Sequence, residues 1–326
     1  MSTNRQPSVS GIAFARRGLL LNPADLSYDA WPALLEHSGV NVLGLHSDYA
    51  SLCRFMESAQ GDRLRADLSG RRIELEHCIH FSPSFMTKSL FARHPDWFSM
   101  DVCGVRYWER ANPCTSHPAL LDYVREQAAE CARCLPASTH RYQLLAADAQ
   151  PWCHCEECSP FSPSDQNLRL MNAMLEGVRS VDPAGELACA AYMETLPAPT
   201  QVRPAPGVYL LFAPYRRNLR RPLGDPACWV NREQVRHLDD LLRVFGASPA
   251  RVLDYWLDVS LFSYYRKPAR EVLPPDSLLQ ADAALYRERG ITEITTFACW
   301  MDADYLRRFG DGMVRRYGAA LRSEVA

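Results

Sequence analysis

No apolar run in the 326-residue chain approaches the ~20 residues that a membrane-crossing helix needs, so no membrane partner is expected. The N-terminal stretch MSTNRQPSVSG lacks the apolar core of a secretory leader, and the expectation is a cytoplasmic protein. Net charge is equally thin. Lys and Arg total 36 against 38 Asp and Glu, a formal −2, which gives no global field to draw in nucleic acid. The densest basic run, Arg216, Arg217, Arg220 and Arg221, has no interleaved aromatics and reads as a loop or a local anion site. Nucleic acid is therefore not an expected partner. The chain also lacks internal repeats, low-complexity linkers, a serine elbow and a Walker loop. No glycine-rich fingerprint follows the first apolar segment, which argues against dinucleotide binding. Cysteine, at 12, is not scarce. Without a leader those thiols read as reduced, with one local cluster that could bind metal.

What is present is a repeated order of short apolar strand, polar loop and amphipathic helix. The spacing predicts strands at 12–21, 40–45, 73–81, 142–147, 187–193, 208–213, 251–257 and 294–299. Helices are expected near 27–38, 49–59, 118–134, 164–181, 232–245, 276–289 and 303–321. Only the Pro-rich segment between strands five and six lacks a helical pattern. Eight such units fit a single (β/α)8 TIM barrel over residues 1–326, with enlarged loops after strands three and four.

Barrel strands present their chemistry at their C-terminal ends. Those ends carry His46, His80, Asp148, Tyr192, Asp254 with Tyr255, and Asp302 just past strand eight. Carboxylates, histidines and aromatic rings together suit sugar chemistry: acid and base from the carboxylates, stacking from the rings. Asp148 is the candidate general acid. Its apolar approach and Trp152 beyond it could raise its pKa, though the same residue could simply cap its loop. In LDYWLD, Asp254 is the candidate second carboxylate and Asp258 its alternate, with a buried ion pair to an arginine as the competing reading of Asp254. Trp256, between them, is a candidate sugar platform. Glu74 and Glu76 lie too early in their strand and read as structural ion-pair partners.

Cys153, Cys155 and Cys158 place three thiols in six residues, and Cys114 could complete a tetrahedral set. The set reads either as a structural zinc site or as reduced thiols packed beneath a loop. No cofactor is expected for catalysis itself.

The blocks LFARHPDWFSMDVCGVR, NPCTSHPAL, AADAQPWCHCEECSPFSPSDQ and LDYWLD together resemble a bacterial barrel family known as domain of unknown function 4838. Its glycosidase members form glycoside hydrolase family 163, similar to α-glucuronidases and β-hexosaminidases. The resemblance implies that His80 matches the family's strand-three histidine, Asp148 its strand-four acid, and Asp254 and Tyr255 its strand-seven pair. It also implies that the four cysteines match recurring family positions. The family's Asn-Asp-Gly-Gly-like turn is here Ala147-Asp148-Ala149-Gln150, and no carboxylate ends strand eight. The expected function is cleavage of a glycosidic bond in an oligosaccharide or small glycoside. Asp148 would act as acid, Asp254 or Asp258 as partner, and His46, His80, Tyr192, Tyr255, Trp256 and Trp152 would hold the sugar. Two alternatives stand beside it. One is a non-catalytic carbohydrate-binding or regulatory barrel. The other is a hydrolase or isomerase with a metal held by His46, His80 and a carboxylate.

Overall fold

The computed structural model describes residues 13–109 and 112–322. The N-terminal run discussed above, and Ile12 of the expected first strand, lie outside the described residues. Eight parallel strands close into a barrel in sequence order. They are β1 (Arg16–Leu21), β2 (Val42–His46), β3 (Glu74–His80), β4 (Arg141–Leu145), β5 (Glu186–Ala191), β6 (Val208–Phe212), β7 (Arg251–Asp254) and β8 (Glu293–Phe297). Pairing of β1 with both β2 and β8 completes the circle. The (β/α)8 barrel read from the sequence is the fold observed. β6, Val-Tyr-Leu-Leu-Phe, is buried along its whole length because helices cover its outer face and the barrel fills its inner one.

Several helices depart from the expected boundaries, each for a local reason. The helix expected at 49–59 is two helices, Tyr49–Met56 and Ala59–Gly70. Ser58 starts the second by accepting from the Gly61 backbone N–H. A Cβ on Gly61 would lie 2.5 Å from the Phe55 carbonyl oxygen, so glycine permits the two helices to meet closely. The helix expected at 303–321 divides into Ala303–Phe309 and Gly312–Arg322, with Gly310 at φ +75° ending the first half. The long loop after β3 contains the short helices Phe81–Phe85 and Lys88–Arg93. The β5–β6 connection has only the 3-10 turn Met193–Thr195. It is pinned instead by Asp165, whose Oδ1 accepts from the backbone of Thr200, Gln201 and Val202 at 2.8–3.0 Å.

The N-terminal end of the barrel is closed by charge. Arg251 of β7 is fully buried, pairing with Glu76 of β3 and, at 2.9 Å, with Glu293 of β8. Arg141 of β4 reaches Glu293 at 2.8 Å, and Arg16 of β1 reaches its other oxygen at 2.5 Å. Gln143 and Thr139 complete the bonds to Glu76 at 3.1 and 2.6 Å. The Tyr209 ring lies 4.5 Å from the Arg141 guanidinium carbon. Burial opposes the charge on Glu76, but Arg251 and the Thr139 hydroxyl outweigh it and hold its pKa below the ordinary 4.5.

Removing Arg251 leaves the Glu76 carboxylate without its ion-pair partner in the interior, while Glu293 keeps Arg141 and Arg16. Arg251→Ala is expected to lower stability by about 3–5 kcal/mol, read from the urea midpoint. Because the folded pKa of Glu76 is depressed, its contribution is complete above the unfolded value and is lost as pH falls through the folded one. The same variant should therefore lose that part of the acid dependence of unfolding.

Candidate active site

Side chains alternate along each strand, so the face that carries the floor charges also faces the mouth. On β3 the inward residues run Glu76, Cys78, His80; on β7 they run Arg251, Leu253 and then Tyr255. On β8 they are Glu293, Thr295 and Phe297. The outcome is a chain of rings around the C-terminal mouth. Tyr192 and Tyr215 have centroids 5.5 Å apart, Tyr215 and Tyr255 5.3 Å, and Tyr255 and Phe297 5.3 Å. Phe297 meets His46 edge-on at 5.5 Å, and His46 meets His80 edge-on at 5.2 Å. Six strand ends contribute to this chain. The cavity above it has a volume of about 320 Å³, within the range of small-molecule sites.

Of the residues named from the sequence, His46, His80, Asp148, Trp152, Tyr192, Tyr255 and Asp258 line this cavity. Asp254, Trp256 and Asp302 do not; Asp302 instead caps the helix Ala303–Phe309 and pairs with Lys267 at 2.9 Å. Asp254 is 0% exposed, and its Oδ2 is bonded to Arg217 at 2.8 Å and to the Tyr286 hydroxyl at 3.0 Å. Arg217 also binds Asp282, which accepts from the Trp256 indole at 3.0 Å. These residues form a buried polar knot behind the sheet. The physical reason is parity: with Arg251, Leu253 and Tyr255 inward, Asp254 and Trp256 face outward. Because β7 ends at Asp254, that parity does not carry on to Asp258, which does reach the cavity. The arginine run read as a loop or anion site therefore supplies an internal ion pair through Arg217. The sequence reading did not include Asn22, Asn167, Glu194, Tyr215, Tyr265, Phe297 or Trp300, all of which line the cavity.

Asp148 stands three residues beyond the end of β4 on a loop held from both sides. Buried Asn112 accepts from the Ala147 N–H and donates to the Gln150 carbonyl, both at 2.9 Å. Gln166 accepts from the Cys153 N–H at 3.0 Å and donates to the Cys153 and Phe161 carbonyls at 3.1 Å each. Ala149, next to the acid, is at φ +52°, a conformation L-residues rarely adopt. Met193, Tyr265 and Trp300, beside or within the cavity wall, also have positive φ. Strained backbone of this kind, of order 1 kcal/mol or more per residue, persists where the surroundings fix it and gathers at functional sites.

Electrostatics at the mouth are local. Partial desolvation raises the Asp148 pKa, His80 opposes the rise, and Glu194 adds to it. His46 is pushed down to about 4, first by burial and then by His80, so it is neutral near pH 7. Its Nδ1 contacts the Cys78 carbonyl at 3.1 Å; a carbonyl only accepts, so Nδ1 carries the proton and Nε2 is left as an acceptor. His80 is oriented alike, with Nδ1 at 3.3 Å from the Ala146 carbonyl and Nε2 at 3.7 Å from Asp148 Oδ2. At 3.7 Å the His80 Nε2 is within ion-pair range of the Asp148 carboxylate but beyond hydrogen-bond distance. Asp258 is buried, which raises its pKa, while Ser260 and the Leu261 N–H oppose the rise. Both of those bonds go to Oδ1, at 2.5 and 3.1 Å, so Oδ2 is the atom available to a ligand.

Among the described residues, one group of three or more potential metal ligands converges: Cys114, Cys153, Cys155 and Cys158, all buried, with sulfurs within 4.8 Å of one another. His46 and His80 do not form such a group with a carboxylate. Cys114 Sγ lies 3.6 Å from Cys155 Sγ and 3.8 Å from Cys158 Sγ. A tetrahedron with Zn–S of ~2.3 Å has edges of about 3.8 Å, which these two distances match, so the donor set suits zinc. Cys153 Sγ also accepts from the Met100 N–H at 3.4 Å and from Arg106 at 3.8 Å, contacts that favour a thiolate.

In overall architecture the chain is similar to a β-galactosidase from Rahnella sp. R3, at 11% identity and TM-score 0.55, over 98% of this chain and 59% of that one. It is also similar to a catalytic mutant of Gan42B, a GH42 β-galactosidase from G. stearothermophilus, at 14% identity and TM-score 0.57, over 96% and 57%. A third likeness, at 10% identity and TM-score 0.55 over 95% and 97%, is to PbGH5A, a glycoside hydrolase family 5 enzyme from Prevotella bryantii B14 in complex with a xyloglucan tetradecasaccharide. The chain thus spans under three-fifths of the two β-galactosidases. Identities this low establish the fold alone. No curated protein matches the sequence. The family model for the domain of unknown function DUF4838 matches residues 48–275, more than half of the chain, and the chain belongs to that family.

Proposed function

We propose that the protein is a glycoside hydrolase in which Asp148 is the general acid. The observation that carries this reading is the Asp148–His80 pair at the cavity wall. His80 has its Nδ1 proton committed to the Ala146 carbonyl and turns Nε2 to the Asp148 carboxyl at 3.7 Å. A carboxyl whose pKa is raised by desolvation, standing beside an imidazole at the cavity wall, can protonate a leaving oxygen. As the bond from the anomeric carbon to that oxygen breaks, the proton passes from Asp148 to the oxygen. Positive charge then develops on the sugar. Asp258, through Oδ2, is the second carboxylate in this reading and takes the part first given to Asp254. The ring chain from Tyr192 to His46 offers flat apolar surface to a pyranose, and neutral His46 offers Nε2 to a hydroxyl.

A second reading, a sugar-binding barrel without turnover, is favoured by the inward end of β8, where Phe297 and Cys299 stand rather than a carboxylate. A panel of aryl glycosides separates the two. The enzyme reading expects turnover of at least one sugar, with kcat/KM reduced about 10²–10⁴-fold in Asp148→Asn. Saturable binding with no hydrolysis would support the second.

Glu194 adds to the rise that desolvation gives the acid. Since its charge raises the Asp148 pKa, Glu194→Gln should move the high-pH limb of activity to lower pH. The carboxyl carbon of Asp148, followed by NMR, should titrate with the same sign.

The four cysteines are proposed to hold a structural zinc ion that fixes the loop bearing Asp148; Cys114, Cys153, Cys155 and Cys158 supply the thiolates. Zinc would make no step of the reaction. Elemental analysis should find about one zinc per chain, lost in Cys153→Ser together with several degrees of thermal stability. Full metal content in that variant contradicts the assignment.

A further inference from the structure

The space around Asp148 does not end with the aromatic cavity. A second groove, with a volume of about 710 Å³, opens on the other side of the acid and shares His80, Ala147 and Asp148 with the first. Its outer wall is made by Tyr49, Met86 and Trp108. Trp108 is 40% exposed, generous for an indole in a folded chain. The Lys88 ammonium, 5.6 Å from the ring centroid, steadies it.

The segment that carries Trp108 is anchored to the loop that carries the acid. Residues 98–108 fold back on themselves through the Met100–Arg106 bridge. The Met100 carbonyl accepts from the His154 N–H at 2.9 Å, and Arg106 bonds the Phe98 carbonyl and reaches Cys153 Sγ. The cysteine cluster therefore fixes Asp148 and the Trp108 wall relative to each other.

We propose that this groove is a second sugar subsite, on the leaving-group side of the bond, in which an uncharged pyranose stacks on Trp108. The inference rests on the glycosidase reading and extends it. A general acid must face the oxygen that joins two residues, and Asp148 lies on the wall common to both spaces. Whatever fills the aromatic cavity as glycone places its leaving group in the groove. An anionic sugar is disfavoured there. Three carboxylates, Asp48, Glu109 and Asp148, line the groove and outweigh the Lys88 ammonium at the Trp108 ring. The substrate class is accordingly a neutral oligosaccharide of at least two residues.

Two experiments test this in the full chain. In the first, kcat/KM is measured for wild type and Trp108→Ala with a neutral disaccharide and with the glycosyl fluoride of the same glycone, whose leaving group has no ring. The expected loss on the disaccharide exceeds that on the fluoride by about tenfold, a fold-change typical of one stacked ring. Equal losses overturn the proposal. In the second, saturation-transfer NMR is recorded on Asp148→Asn with cello-, xylo- and chito-oligosaccharides. The expectation is two adjacent rings in contact with the protein, reduced to one when Trp108→Ala is added. A single contacted ring in Asp148→Asn overturns the subsite alone, whereas no contact with any of these sugars overturns it together with the glycosidase reading.

Discussion

The buried ion cluster at the barrel floor constrains the rest of the molecule. Arg251, Glu76, Glu293 and Arg141 satisfy one another only if β3, β4, β7 and β8 all turn the same face inward. A slip of one residue in any of these strands would bury a charge against apolar helices, at a cost of several kcal/mol. Side-chain direction has a period of two. Fixing the floor therefore fixes the mouth four residues on, where Glu76 leads to His80, Arg251 to Tyr255 and Glu293 to Phe297. The chemistry of the site is in register with charges that never meet a ligand.

Beyond the strand ends, position is set by clamps rather than by register. Asp148 lies three residues past β4, where the ladder no longer constrains it. Asn112 and Gln166, with the four cysteines, take over with bonds to backbone on either side of the acid. The positive φ at Ala149, Met193, Tyr265 and Trp300 marks other places where packing overrides local preference. One cluster of sulfurs thus holds together the acid's loop and the exposed indole beside it.

How much of this was legible in the sequence follows the same division. The strand count, the barrel, and His46, His80, Tyr192 and Tyr255 at strand ends were readable because period-two alternation is a strong local signal. Phe297 was within reach of the same rule, four residues on from Glu293 along the inward face of β8. Asp254 and Trp256 were given a place at the mouth from their position at the end of strand seven; with Arg251, Leu253 and Tyr255 inward, the same alternation turns both of them outward. Arg217, the partner of Asp254, lies 37 residues earlier and carries no local sign of the pairing. Glu194, Tyr215 and Tyr265 sit in loops whose course depends on contacts distant in sequence, so composition could not assign them. The cysteine spacing was legible as a cluster, and the structure brings Cys114 to it from 39 residues before Cys153.

Asp148 as proton donor is the claim on which the functional reading turns. The most direct measurement is hydrolysis of a series of aryl glycosides with leaving groups of increasing pKa by wild type and Asp148→Asn. If Asp148 donates the proton, the variant's deficit is small for the most acidic phenols and grows steeply as the leaving group becomes more basic. A deficit that is the same across the series, or absent, would contradict that role.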